Sequence, residues 1–171
     1  GDRFSKEGEA QLEAIMEINK KGISVVPVWN KSYREHSIVK TTHASVAKEA
    51  EDAVHAKGYK GGYYVDADHI GMKTVDEFID YSNFFTIDVA HFIGQAADSL
   101  SKSEFIKRHK NFIGNMTIPG IDENFTVSED FLGIIADKYL LALKEVKTIY
   151  DHICAKKGKD HFIPEVSMDE C

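Results

Sequence analysis

Apolar positions recur every three or four residues over 5–20, placing Leu12, Ile15, Met16 and Asn19 on one helical face, with Gly22 positioned to stop the helix. "ISVVPV", 23–28, is short, β-branched and apolar throughout, the pattern of a strand buried on both faces. Thr42 is placed to cap a second helix, whose inward stripe is Val46 or Ala47, Ala50 and Val54 and whose end is Gly58. "GGYYVDADH", 61–69, reads as the second strand. Thr74 with Glu77 then spells a capping box for a short helix holding Val75, Phe78 and Ile79. "NFFTIDVAHF", 83–92, is the third strand.

The rhythm then loosens. Ser101 and Glu104 open a helix running to about 112, followed by an irregular stretch around "GNMTIPGIDENFTV". Thr126 and Glu129 cap a long helix to about 156, with Ile135, Tyr139, Ala142, Val146, Ile149 and Ile153 three or four residues apart. Gly158 closes it, and "HFIPEVSM", 161–168, is the fourth strand. Helix–strand alternation with buried strands implies an α/β fold of parallel βα units. Four strands cannot close an eight-stranded barrel, which takes about 250 residues. The chain also opens abruptly at "GDRF" and stops at "MDEC". We therefore expect a single domain over 1–171 that is about half of a TIM-like (β/α) barrel. A small, complete doubly wound sheet is the rival. A half barrel exposes apolar edges, so association with a second copy or with a missing C-terminal segment is expected.

Composition narrows the partners. With 171 residues, 43% of them hydrophobic, the chain can bury one core. A net charge of −7 without a Lys/Arg cluster argues against nucleic acid or an acidic membrane as a partner. Two cysteines, Cys154 and Cys171, give neither a disulfide framework nor a metal-type spacing, which suits a reducing compartment. There is no secretory signal and no apolar run of membrane-spanning length, so a cytoplasmic location is expected.

In parallel α/β folds active sites lie at the carboxyl ends of strands, and the polar residues collect there. Asn30, Lys31, Arg34, Glu35 and His36 follow strand one; Asp66, Asp68 and His69 follow strand two; Asp88 and His91 follow strand three; Glu165, Ser167, Asp169 and Glu170 fall on or after strand four. Asp66 and Asp68 share a strand face, and close carboxylates raise one another's pKa, which suits a general base or a metal pair. A histidine beside carboxylates suits a divalent cation. On a regular strand Asp68 and His69 point to opposite faces, so both serve one site only where the strand ends and the backbone turns. The alternative is that Asp66 and Asp68 cap the next turn and His69 is a loop histidine. Arg34 has the fork to hold a substrate carboxylate, although a surface arginine is the commoner outcome, and Lys31 has the amine for a Schiff base, although nothing nearby in sequence indicates a lowered pKa.

"GDRF" before a helix, "GGYYVDADHIGMKT", "FFTIDVAHFIG" and the terminal "PEVSMDE" together resemble the tagaturonate epimerase family. The resemblance covers the whole chain and implies a longer, barrel-like protein dependent on a divalent metal such as Zn, Mn, Ni or Fe. It implies interconversion of D-tagaturonate and D-fructuronate in hexuronate catabolism. Carried over, Asp68 is the proton acceptor, His69 a metal ligand and Glu170 the proton donor, with Glu165 the second choice. Arg3, Asn30, Arg34 and Asp66 are the candidate substrate-binding residues, the two arginines as anchors for the substrate carboxylate. The family's further metal-binding histidines lie toward the C-terminus, where no matching segment exists here.

The two sugars differ at a hydroxyl-bearing carbon β to the ketone, and enolisation alone scrambles the neighbouring carbon. Retro-aldol cleavage and re-addition to the opposite face is the preferred mechanism, with a base, an acid opposite and a metal polarising the carbonyl. A metal-dependent aldolase or isomerase on the same barrel is the nearest rival. A non-catalytic sugar-acid-binding protein is another.

Overall fold

In the computed structural model, which describes residues 2–169, four parallel strands pair in the order they occur along the chain. They are β1 (Val28–Ser32), β2 (Tyr64–Ile70), β3 (Phe84–Asp88) and, after a short antiparallel hairpin of β4 (Gly114–Met116) with β5 (Phe125–Val127), the last strand β6 (Ile163–Ser167). A doubly wound sheet reverses its strand order at a switch point. Among the described residues this sheet does not, so its parallel βα organisation is singly wound.

The described residues form two compact units. The first runs to Asp88 and includes Thr148–Ser167; the second is Val89–Lys147 with Met168 and Asp169. In the first, helices α1 (Gly8–Lys20) and α3 (Ala44–Lys57) lie over β1 and β2, and Leu12, Trp29, Val46, Ala50, Ala53 and Val65 form one buried cluster. The expected stripe of α3 is therefore correct at Val46 and Ala50, with Ala53 taking the deepest third place and Val54 packing at its margin. Gly58 ends α3 at φ 60°, a left-handed conformation that glycine adopts without a Cβ penalty.

Strand one is displaced from the expected 23–28 to 28–32. Pro27 has no N–H to give a ladder, and the Asn19 side chain takes both polar groups of Val25, accepting from its N–H at 2.7 Å and donating to its carbonyl at 3.1 Å. Ile23, Val26 and Val28 are exposed, not buried on both faces. Directly after β1 comes a helix the periodicity missed, α2 (Tyr33–Val39), started by a capping box of Ser32 and Glu35. Conversely, Thr74 caps no helix. Its hydroxyl bonds Gly71, and only a 3₁₀ turn, Val75–Glu77, follows.

In the second unit α4 (Ser99–Arg108) is capped by Asp98, not by Ser101, whose N–H donates to the Asp98 carboxylate at 2.8 Å. The stretch expected to be irregular holds the β4–β5 hairpin. Helix α5 (Glu129–Lys157) begins at Ser128, whose hydroxyl accepts from the Phe131 N–H. Its last residues belong to the first unit, where Ile149 and Ile153 are buried and His152 meets Asp76 at 2.7 Å. No helix among the described residues is long and apolar enough to cross a membrane.

Candidate active site

Side chains alternate across a strand, and the register of the sheet sorts them. Asn30 on β1 is level with Asp66 on β2, and Ser32 with Asp68; Thr86 on β3 is level with Glu165 on β6, and Asp88 with Ser167. These residues fall on one face. Trp29, Lys31, Val65, Ala67, Phe85 and Ile87 fall on the other. This alternation takes Lys31 away from the carboxylates. It is 1% exposed, and its amine donates to the Ser5 hydroxyl at 2.7 Å.

Asp68 and His69 come together by a device other than a strand end. Ala67 pairs with Phe85 and Ile70 with Ile87, so two residues of β2, Asp68 and His69, oppose the single Thr86. That is a bulge, and His69 accommodates it at φ 53°, a left-handed backbone that is rare outside glycine. The imidazole then sits between two carboxylates. Its Nδ1 is 3.3 Å from Asp88 Oδ2 and its Nε2 is 3.8 Å from Asp68 Oδ1.

Below this group the face is buried. Asp66 and Thr86 are each 6% exposed, and the Thr86 hydroxyl lies 3.0–3.1 Å from both Asp66 oxygens and 3.0 Å from Glu165 Oε2. Burial pushes the Asp66 carboxyl up to about 6. The Thr86 hydrogen bond works against that, while the charges of Asp68 and Glu165 add to it. Thr86 was not singled out from the sequence. Its signal was the two-residue spacing to Asp88 within "FFTID", which places both on the carboxylate face.

Arg3 and Asn30 are brought together, lining with Asp2 and Glu35 a cavity of about 160 Å³. Arg3 pairs there with Glu35 at 3.6 Å, and Asp2 ties the chain by accepting N–H bonds from Phe4, Lys6 and Glu7. Arg34 is exposed on α2 and Asp66 lies deeper in the sheet; neither lines this cavity. His91 is exposed with its ring against Phe92. Glu170 lies outside the described residues. Among the described residues, no group of three or more His, Cys, Asp or Glu side chains is placed to hold a metal ion. His69 with its two carboxylate neighbours is the nearest approach on this face.

Three crystal structures of fructuronate-tagaturonate epimerase UxaE from Cohnella laeviribosi are similar in fold. The forms with one and with two glycerols both superpose at a TM-score of 0.75, at 20% and 21% identity, and the native form at 0.68 and 20%. Each comparison covers 99% of this chain and 36% of the epimerase, so the chain spans about a third of the length of those proteins. No curated protein matches the chain. The tagaturonate epimerase family model matches residues 1–171, and the chain belongs to that family.

Proposed function

We propose that this chain carries the proton-accepting side of a tagaturonate–fructuronate epimerase site, at the strand ends of a TIM-like barrel. The observation that carries this reading is the β2 bulge, which turns Asp68 and His69 toward one point beside Asp88. Asp68 is the proton acceptor. It keeps 19% of its side chain exposed, enough to meet a substrate hydroxyl without deep burial of its charge. Arg3, fixed by the Asp2 turn and next to Asn30, anchors the substrate carboxylate by paired hydrogen bonds. The proton donor is Glu170.

His69 is the residue here that would hold a divalent metal. The donor chemistry fits: Asp88 engages Nδ1, and a carboxylate on one ring nitrogen fixes the tautomer whose lone pair lies on Nε2, beside Asp68, where a cation would be ligated. When bound, the cation supplies positive charge to polarise the substrate carbonyl. The chain's own residues take the hydroxyl proton, orient the imidazole and bind the carboxylate.

The test is a coupled assay on the full-length protein, with D-tagaturonate, a fructuronate reductase and NADH, with and without EDTA and restored metal. We expect chelator-sensitive formation of fructuronate, lowered at least about 100-fold by Asp68→Asn. A metal-loaded protein that turns over no tagaturonate overturns the epimerase reading.

A further inference from the structure

Thr86 faces more acceptors than it has protons. Its hydroxyl lies within hydrogen-bonding distance of the Asp66 carboxylate at 3.0 and 3.1 Å and of Glu165 Oε2 at 3.0 Å. A hydroxyl carries one proton and two lone pairs. With both carboxyls ionised it donates to one and turns a lone pair toward the other, leaving two like charges joined through one buried atom. Every contact is satisfied when one carboxyl is protonated. That acid then donates to Oγ1 while Thr86 donates to the other carboxylate.

We propose that Asp66, Thr86 and Glu165 hold one proton in common and form a relay across β2, β3 and β6 that resets the site between turnovers. This rests on the reading of Asp68 as proton acceptor. An epimerisation that takes a proton on one side and delivers one on the other leaves the base protonated and the acid deprotonated. A proton has to cross before the next turnover in the same direction. Asp68 passes its proton through water to an ionised Asp66, and at the far end Glu165 passes one through water to the spent donor. In the crossing between them, the Asp66 O–H bond breaks as a new O–H bond forms on Thr86 Oγ1. The original Thr86 O–H bond breaks as one forms on Glu165 Oε2. The hydroxyl is regenerated, Asp66 becomes a carboxylate and Glu165 an acid, with no change in total protons or electrons. The charged groups facing Asp66 are Asp68 on its own strand and Glu165 on β6; its level neighbours are Asn30 on β1 and Phe84 on β3, both neutral. Thr86 is a positioning residue in this scheme, since it touches the two carboxyls and not the substrate.

The experiment compares wild type, Thr86→Val and Thr86→Ser in the full-length, metal-loaded protein. Steady-state kinetics are read beside infrared titration of the Asp66 carboxyl, assigned by its loss in Asp66→Asn. We expect Thr86→Val to lower kcat about tenfold or more at unchanged KM and to move the carboxyl titration upward from about pH 6. Thr86→Ser restores both. A kcat within twofold of wild type in Thr86→Val, or an unmoved titration, overturns the relay. Should Thr86→Val not fold, Asp66→Asn and Glu165→Gln each remove one exchangeable carboxyl, and wild-type kcat in both overturns it equally. Asp68→Asn separates the two ideas. Full turnover there overturns the base assignment and the relay with it, whereas its loss beside a wild-type rate in Thr86→Val overturns the relay alone.

Discussion

The two faces of the central strands come from the same residues taken alternately, and they are buried for different reasons. On one face Ala67, Phe85 and Ile87 are fully buried and Val65 nearly so, with Val65 in the cluster of α1 and α3 and the Phe85 ring edge-on to Phe162 at 5.6 Å. Burial there is itself the stabilising act, at about 25 cal/mol per Å² of apolar surface removed from water. On the other face Asp66 and Thr86 are nearly as deeply buried, and each needs a partner for every polar atom. The first face holds the sheet together. The second buries hydrogen-bonded polar groups, which is possible only at a cost in stability.

Substitutions on each face sharpen that contrast. Phe85→Ala should have the largest effect on folding, a loss of about 3–5 kcal/mol from apolar transfer plus the cavity left behind, read by urea or thermal denaturation. A loss below about 1 kcal/mol would mean that this face is not the packed one.

Asp66→Asn should act in the opposite direction. The folded Asp66 titrates near 6 against 3.8 in the unfolded chain, so folding favours its protonated form. That contribution is fully present below 3.8 and is lost as pH rises through about 6, leaving a buried anion that costs stability. An amide keeps a hydrogen bond to Thr86 without the charge. The variant should therefore gain about 1–2 kcal/mol over wild type at pH 7.5 and little at pH 3.5, measured by denaturation at both pH values. The opposite sign is expected from His36, 3% exposed beside α3 and pushed down to about 4 by burial and by its neighbour His43. Its contribution is present above 6.5 and is lost as pH falls toward 4. Because His36 is common to both proteins, the difference between wild type and Asp66→Asn isolates the carboxyl. An equal difference at both pH values would break the assignment of a raised Asp66.

The smallest effect tests the segment leading off the polar face. Ser32→Ala removes one arm of the capping box that starts α2, with an expected loss of about 1 kcal/mol and no change in the titration of Asp66. No loss at all would mean that Glu35 alone suffices to hold the turn.

How much of this was legible varies by element. The strands at 64–70, 84–88 and 163–167 follow from short apolar runs bounded by turn signals, and the helices at 8–20, 44–57 and 129–157 from their stripes and flanking glycines. Strand one was misplaced because Val25 and Val26 look like strand residues, and only the distant Asn19 amide reveals that the backbone there is bonded elsewhere. Ser32–Glu35 was a readable capping box hidden inside a polar stretch valued for its chemistry. The pairing of Thr74 with Glu77 had the same spelling without the structure, because Gly71 claims the threonine hydroxyl.

The sequence by itself determined the alternation of faces along β2 up to Asp68 and along β3, because a period of two is a property of extended backbone. It also determined that the acidic and histidine groups cluster near the strand ends, and its motifs pointed to the tagaturonate epimerase family. Only the tertiary structure decided how strands sit level with one another. That register sets Thr86 between carboxyls from two other strands and lets a single extra residue in β2 swing His69 onto the side of Asp68 and Asp88. Side-chain direction is local, but register is fixed by partners up to 79 residues away, and no periodicity along one strand encodes the position of the next.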